Sequence, residues 1–153
     1  MSEMKNVAHS MVETYHIIKP IDLNSANRLY GGTLMGWIDE VAVLVARKHA
    51  QMSVVTGSVT NLKFLHGAYL RDTIVLNGKA TFVGNTSMEV KVETSVEHIN
   101  GKRELINIAY FTMVGLDEND KPAKLPGLLL ETEEDREEWE HARQRRELSR
   151  KMN

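Results

Sequence analysis

The stretch 27-NRLYGGTLMGWIDEVAVLVARKHA-50 holds the most apolar run of the chain, and the rest of the molecule must fold around it. Leu34, Met35, Trp37, Ile38, Val41, Ala42, Val43, Leu44, Val45 and Ala46 leave almost no polar face. The pattern predicts one helix from Thr33 to about Gln51, covered on nearly all sides by other elements. Thr33 suits its first turn, and Arg47, Lys48 and His49 complement the dipole at its end. The run is shorter than a membrane span and is interrupted by Asp39 and Glu40, so it reads as a core helix. Two glycines, Gly31 and Gly32, stand directly in front of it.

Downstream the period changes from helical to alternating. In 87-SMEVKVETSVEHI-99, Met88, Val90, Val92 and Val96 share one face while Glu89, Lys91, Glu93 and Glu97 share the other, the pattern of a half-buried strand. Strands flank it at 72-DTIVLNGKATFV-83 and 103-RELINIAYFTMV-114, joined through Gly84–Asn85 and Asn100–Gly101, both suited to tight hairpins. A further strand, 53-SVVTGSVTNLKFL-65, follows the helix. Upstream, residues to Val12 read as irregular, Tyr15–Lys19 as a short strand ended by Pro20, and 20-PIDLNSANRLYGG-32 as a loop. Strand, loop, long buried helix and four antiparallel strands make an α+β unit, a sheet wrapped around one central helix. Such a sheet keeps an open edge that invites a second copy.

The C-terminal stretch 125-LPGLLLETEEDREEWEHARQRRELSRK-151 crowds acids into 131–140 and bases into 143–151, matching a helix dipole end to end. It reads as a surface helix with a solvated charge run, docked by Trp139 and a few aliphatics. Catalysis is expected to survive removal of the residues after Glu133.

With 153 residues the chain is long enough for a single core. Its 19 basic and 21 acidic residues give no electrostatic pull toward nucleic acid or an anionic membrane. Without cysteine there is no disulfide framework, thiolate zinc site or thiol nucleophile, which suits a cytoplasmic setting. The opening 1-MSEMKNVAHSMVETY-15 lacks the apolar segment of a signal peptide.

Asp39 is costly inside an apolar helix unless paired, hydrated or protonated. Amides of Gly31 and Gly32, at the junction of loop and helix, are unpaired first-turn donors that a carbonyl oxygen can approach closely. Fixed donors at the positive end of a helix make an oxyanion hole. The same glycines would also serve a simple turn. Asp39 lies about 12 Å beyond Gly31 along a helix axis, too far for one carbonyl to reach both. Two antiparallel helices from paired subunits would bring Gly31 of one chain opposite Asp39 of the other, making a dimer the minimal unit if the residues work together. Glu40 points ~100° away from Asp39 and reads as structural or as an interface ion-pair partner.

The run 24-NSANRLYGGTLMGWIDE-40 resembles the acyl-CoA thioesterases (acyl-CoA hydrolases) of the hotdog fold, in its Asn, Gly-Gly and Asp spacing followed by a small-apolar helix. The resemblance continues through 54-VVTGSVTNLKF-64 and 84-GNTSMEVKVE-93 and weakly to Leu125–Leu128, covering roughly residues 15–127. It implies a hotdog thioesterase domain at 1–127 with a charged helical extension at 128–153. It implies Asp39 as the catalytic carboxylate, Asn24 as the residue positioning water or thioester, and Gly31, with Gly32 beside it, as backbone donor. Gly84, Asn85, Thr86 and Ser87 match the segment that lies along coenzyme A. The resemblance also implies homodimers assembled into larger oligomers, often hexameric trimers of dimers. Two departures stand out: Asn27 where many members have glycine, and Gly67 and Arg71 in place of a proline and a glycine. Lys63, His66 and Arg71 are candidate phosphate contacts, although exposed loop cations are ordinarily just solvated.

A thioester is weakly stabilised by resonance and its thiolate leaves well, so neither metal nor cofactor is expected; coenzyme A belongs to substrate and product. Asp39 suits either a general base or a nucleophile. No serine sits in a G-x-S-x-G elbow; the nearest stretch, 56-TGSVT-60, reads as a strand. Rival readings are a hotdog hydratase or dehydratase, which needs a histidine beside the acid, and a non-catalytic acyl-CoA sensor, which has no use for Asp39 in a pocket.

Overall fold

A computed structural model describes residues 3–152. A five-stranded antiparallel sheet runs in the order β2 (Val12–Ile17), β4 (Thr73–Val83), β5 (Ser87–Glu97), β6 (Arg103–Leu116), β3 (Ser53–Phe64). The long helix α2 (Gly31–Ala50) crosses its inner face. Leu34, Ile38, Val41, Ala42, Val45 and Ala46 pack there on Ile74, Leu76, Ala80, Val90, Val92, Ala109 and Phe111. The closest approach is at Gly78, where a Cβ would lie 2.6 Å from Val41 Cγ1, so the strand must be bare for the helix to seat.

The hairpins fall where the sequence puts them. Gly84 N–H donates to Ser87 O at 2.8 Å around one turn, and Gly101 takes φ 87° in the other. Alternation in β5 is also as read, with Met88, Val90, Val92 and Val96 buried on the inner face.

Three expectations are corrected. The opening segment is not irregular: β1 (Lys5–Asn6) pairs in parallel with β7 (Leu128–Leu129), and α1 (Val7–Ser10) follows with Asn6 as its N-cap. The next strand begins at Val12 and ends at Ile17, not Tyr15–Lys19, because β4 supplies pairing partners only from Thr73 to Gly78. Nor is α2 covered all round. Gly32, Gly36, Glu40 and Leu44 form an exposed stripe at intervals of four, because one sheet layer covers one side of a helix.

The C-terminal helix α3 (Glu133–Met152) is the largest departure. Thr132 Oγ1 accepts from Asp135 N–H and Asp135 Oδ2 accepts from Thr132 N–H, a reciprocal cap that fixes its start. Its charges are only partly solvated, because it lies on the outer sheet face. Trp139 docks on Phe82 as expected, with ring centroids 5.0 Å apart. Arg145 grips Glu89 through two bonds of 2.7 and 3.0 Å, leaving that glutamate 3% exposed, and stacks 3.7 Å over the Tyr110 ring. Glu138 meets Lys91 at 3.2 Å. Burial pulls the Lys91 ammonium down, but Glu93 and Glu138 outweigh it and hold the group above its usual range. The polar face of β5 is therefore the seat of a second layer.

Candidate active site

Asn24 opens the loop before α2. Its Oδ1 accepts from Ala26 N–H at 2.8 Å and Arg28 N–H at 3.1 Å, while its backbone N–H donates to Arg28 O. Such a side-chain-centred turn needs one residue of positive φ, and Asn27 supplies it at 60°. Asparagine enters the left-handed region readily, so this departure from glycine leaves the turn intact. With the oxygen committed twice, the Nδ2 donors of Asn24 are what the side chain can offer a ligand.

At the start of α2, Tyr30 is the N-cap without a side-chain bond, and the first helical amide to find an acceptor is Leu34, on Tyr30 O at 3.1 Å. The amides of Gly31, Gly32 and Thr33 thus point out of the helix end. Nothing lies within 4 Å of the space a Cβ on Gly31 would fill, whereas a Cβ on Gly32 would fall 2.6 Å from the Tyr30 ring. Asn24 and Gly31 share a cleft of about 410 Å³, closed by Arg28, Leu34, Phe64, Leu65, His66, Gly67 and Ile106. Gly32 is outside its lining, as are Lys63 and Arg71. Arg71 takes φ 72°, keeping the backbone a glycine would have there.

Asp39 is two turns along α2, half-buried, and is not part of that lining. Thr56 Oγ1, on β3, donates to Asp39 Oδ1 at 2.8 Å. This bond fixes the carboxylate rotamer and leaves Oδ2 without a protein partner among the described residues. Sequence reasoning passed over Thr56. Its signal was a hydroxyl at an inward position of the strand directly after the helix, where a valine would have packed better. Glu40 is exposed on the neighbouring face, as its angular offset requires.

Gly84, Asn85, Thr86 and Ser87 form the β4–β5 turn, beneath the end of α3. Arg146 donates to Ser87 Oγ at 3.0 Å, and Asn85 O accepts from Leu125 N–H at 2.8 Å. The candidate residues therefore fall into three groups: Asn24 with Gly31, Asp39 with Thr56, and the turn at 84–87.

The family model for the thioesterase superfamily matches residues 26–100. The acyl-CoA thioester hydrolase YkhA of Bacillus subtilis is 40% identical over 117 residues, covering 76% of this chain and 68% of its own. The cytosolic acyl coenzyme A thioester hydrolase of Rattus norvegicus is 32% identical over 94% of this chain, which spans only 38% of that protein. Among solved structures, a hexameric acyl-CoA thioesterase superposes with TM-score 0.94 at 34% identity, covering 98% of this chain and 97% of its own. An acyl-CoA hydrolase from Staphylococcus aureus, solved with butyryl coenzyme A and coenzyme A, gives 0.91 at 33% identity over 97% and 93%. That protein has also been solved with alanine replacing an asparagine, an aspartate fifteen residues later, and a threonine seventeen beyond that. The hotdog fold, the sequence relatives and the structural neighbours agree, and the chain belongs to the acyl-CoA thioester hydrolases of the thioesterase superfamily.

Proposed function

We propose that hydrolysis takes place at a site shared by two protomers, where Asn24 and Gly31 of one hold the thioester oxygen and Asp39 of the partner subunit drives the attack. The observation that carries this reading is the separation of the parts. Asn24 and Gly31 line one cleft, and the Asp39–Thr56 pair lies about 12 Å along α2 beside the edge strand β3, which pairs on one side only. The same chain cannot bring both to one carbonyl. A second copy added at the β3 edge, with its α2 antiparallel against the open Gly32–Gly36–Glu40–Leu44 stripe, does so. The hexameric neighbour supports assembly beyond the dimer, as a trimer of dimers. Asn24, Asp39 and Thr56 also have the spacing of the three positions altered in the Staphylococcus aureus enzyme.

In this reading the Asn24 amide and the Gly31 N–H, with Gly32 N–H behind it, stabilise negative charge on the oxygen as the carbonyl becomes tetrahedral. Thr56 aims the Asp39 carboxylate. As general base, Asp39 takes a proton from water as that water bonds to the carbonyl carbon. Collapse then breaks the carbon–sulfur bond, and the proton passes to the departing thiolate, giving a carboxylic acid and free coenzyme A. As nucleophile, Asp39 would form a mixed anhydride that water then opens. No cofactor enters either route. The turn at 84–87 lies along the coenzyme, residues 128–153 are an extension of a domain ending at 127, and the setting is cytoplasmic.

The test is turnover of a short acyl-CoA by Asp39→Asn, with a single turnover of the native protein in ¹⁸O-labelled water. Asp39→Asn is expected to lose more than about 10²-fold in kcat while the oligomer persists. Label recovered only in the released acid marks a general base, and label in Asp39 marks the anhydride. Near-native turnover by Asp39→Asn would remove the assignment. Binding without thiol release by the native protein would turn the reading to a sensor.

A further inference from the structure

The cleft that holds Asn24 and Gly31 also holds Arg28, which the mechanism above does not use. The same turn fixes its backbone: Arg28 N–H donates to Asn24 Oδ1 at 3.1 Å, and Arg28 O accepts from Asn24 N–H at 2.8 Å. The next residue ties this turn to the facing loop, Leu29 N–H donating to Ala68 O at 2.8 Å. The guanidinium therefore reaches out from a fixed base. Its carbon lies 6.0 Å from the centre of the Tyr69 ring. Among the described residues it makes no side-chain hydrogen bond and has no carboxylate within 4 Å. Gly67, one of the two departures in this loop, leaves room for the pair. A Cβ there would lie 3.3 Å from Tyr69 Oη and 3.5 Å from Arg28 Cδ, so a side chain at this position would crowd both.

The charge of the cleft is one-sided. Its lining contains no Asp or Glu, and apart from Asn24, Arg28 and His66 its side chains are apolar or absent. His66 Nε2 faces Glu104 at 3.9 Å, and Glu104 stands outside the lining. Arg28 is left as the permanent positive charge of the cleft. Its guanidinium stays ionised at any working pH and gives up water when a bound acyl group fills the space beside it. A hydrocarbon chain leaves that desolvation without compensation, whereas a carboxylate on the chain offsets it with two parallel hydrogen bonds.

We propose that Arg28 selects acyl groups that carry a carboxylate a few carbons from the thioester, so that the preferred substrates are coenzyme A thioesters of short dicarboxylic acids. The inference rests on the reading that Asn24 and Gly31 hold the thioester oxygen, and it adds the substrate class to that reading. With the oxygen on Asn24 Nδ2 and Gly31 N–H, Arg28 on the same turn stands by the far end of a short acyl group, and the cleft of about 410 Å³ has space for that group as well as for the thioester. A site built around a buried ionic contact rejects the analogue that lacks the charge far better than a hydrophobic slot distinguishes chain lengths.

Glutaryl-CoA and pentanoyl-CoA, equal in carbon count and different in the terminal carboxylate, test the proposal. For each, kcat/KM is measured on the native protein, Arg28→Gln and Arg28→Lys. The ratio of glutaryl-CoA to pentanoyl-CoA is expected to fall about tenfold or more in Arg28→Gln, chiefly through KM, and to recover in part in Arg28→Lys. Because the readout is a ratio within one protein, a general loss of folded enzyme does not move it. An unchanged ratio, whether both substrates fall together or neither does, would put the guanidinium on the coenzyme, on the partner's Asp39 or in solvent, and overturns the proposal. Dissociation constants of the two thioesters for Asp39→Asn, with and without Arg28→Gln, keep this inference apart from the mechanism. A preference for glutaryl-CoA in binding that depends on Arg28 upholds the substrate class even if hydrolysis fails. Turnover of pentanoyl-CoA by the native protein with no such preference leaves the mechanism standing and removes the substrate class.

Discussion

Arg71 sits at φ 72°, where an L side chain is crowded by its own backbone, and the turn keeps it there by donating Arg71 N–H to Ile18 O at 2.9 Å. The family resemblance expects a glycine at this position, and the backbone is still the one glycine would take. Arg71→Gly is therefore expected to raise stability by about 0.5–1 kcal/mol, the relief of left-handed strain less the extra freedom of the unfolded chain. Chemical denaturation with unchanged slope checks it; a lowered midpoint would mean that the arginine side chain holds a contact worth more than the strain. Asn27 is the contrasting case, because its side chain tolerates φ 60°. At this scale the sequence was legible wherever a residue type has one backbone use. Gly31 and Asp39 stood out as candidates because a bare or charged residue at an apolar helix demands a reason, whereas Asn24 came only with the family resemblance. Thr56 was passed over because a lone inward hydroxyl in a strand is a faint signal, and its 2.8 Å bond to Asp39 is what brings it out.

Elements were legible by their own periodicity and illegible in what they touch. The alternation of β5 separates its two faces correctly, but a charged face looks the same whether it meets water or a complementary helix. Glu89 and Arg145, fifty-six positions apart, are a buried pair that neither segment announces alone. The same limit hid the tie at the end of α2. His49, fully buried at the last turn, bonds Pro126 O through Nε2 at 2.7 Å, and Lys5 Nζ donates to His49 O at 2.9 Å. Three distant segments thus converge on one residue, Pro126 at its imidazole and Lys5 at its backbone carbonyl. Its Nδ1 is buried without a partner, so a proton added there would be a buried donor with nothing to receive it. Burial accordingly lowers the His49 pKa, with Lys5 and His9 adding to the effect against the Pro126 carbonyl. The unfolded chain takes up a proton near the ordinary imidazole value of 6.5 while the folded one resists. Stability from this group is therefore complete above that value and drains away as the pH falls below it, by at most about 1.4 kcal/mol per pH unit. Melting temperatures between about pH 7.5 and 5 are expected to fall less steeply for His49→Gln, which donates to Pro126 O without titrating. Parallel curves for the two proteins would place the acid sensitivity elsewhere, with His16, also lowered by burial, the next group to change.

The whole molecule is a fold with one side unfinished. Strand β3 is an edge with Val55 46% and Val59 37% exposed, and the open stripe of α2 runs along the same side. Edge strands of this length are normally covered or charged. This one carries hydroxyls, glycine and valines instead, and the carboxylate of Asp39 lies just behind it. If Gly31 and Asp39 serve one carbonyl, as proposed, helix geometry alone asks for a second chain, because one helix cannot bring both to it. How the chains meet was not legible, since a single sequence records no register between copies. The proposed shared site makes a quantitative demand on mixed oligomers. Asn24→Ala is expected to lose about 10²-fold in rate by removing an oxyanion donor, and Asp39→Asn more. Alone, each gives a nearly inactive protein. Co-expressed, they form mixed dimers in which one site receives native Asn24 from one chain and native Asp39 from the other, while its twin receives both substitutions. Random pairing of chains should return about a quarter of native activity, because half the dimers are mixed and each has one whole site of two. Sites held within single chains would give no recovery at any mixing ratio. The two outcomes differ by more than tenfold in specific activity, with differentially tagged chains purified in tandem to isolate the mixed species, whose activity should then be half the native value.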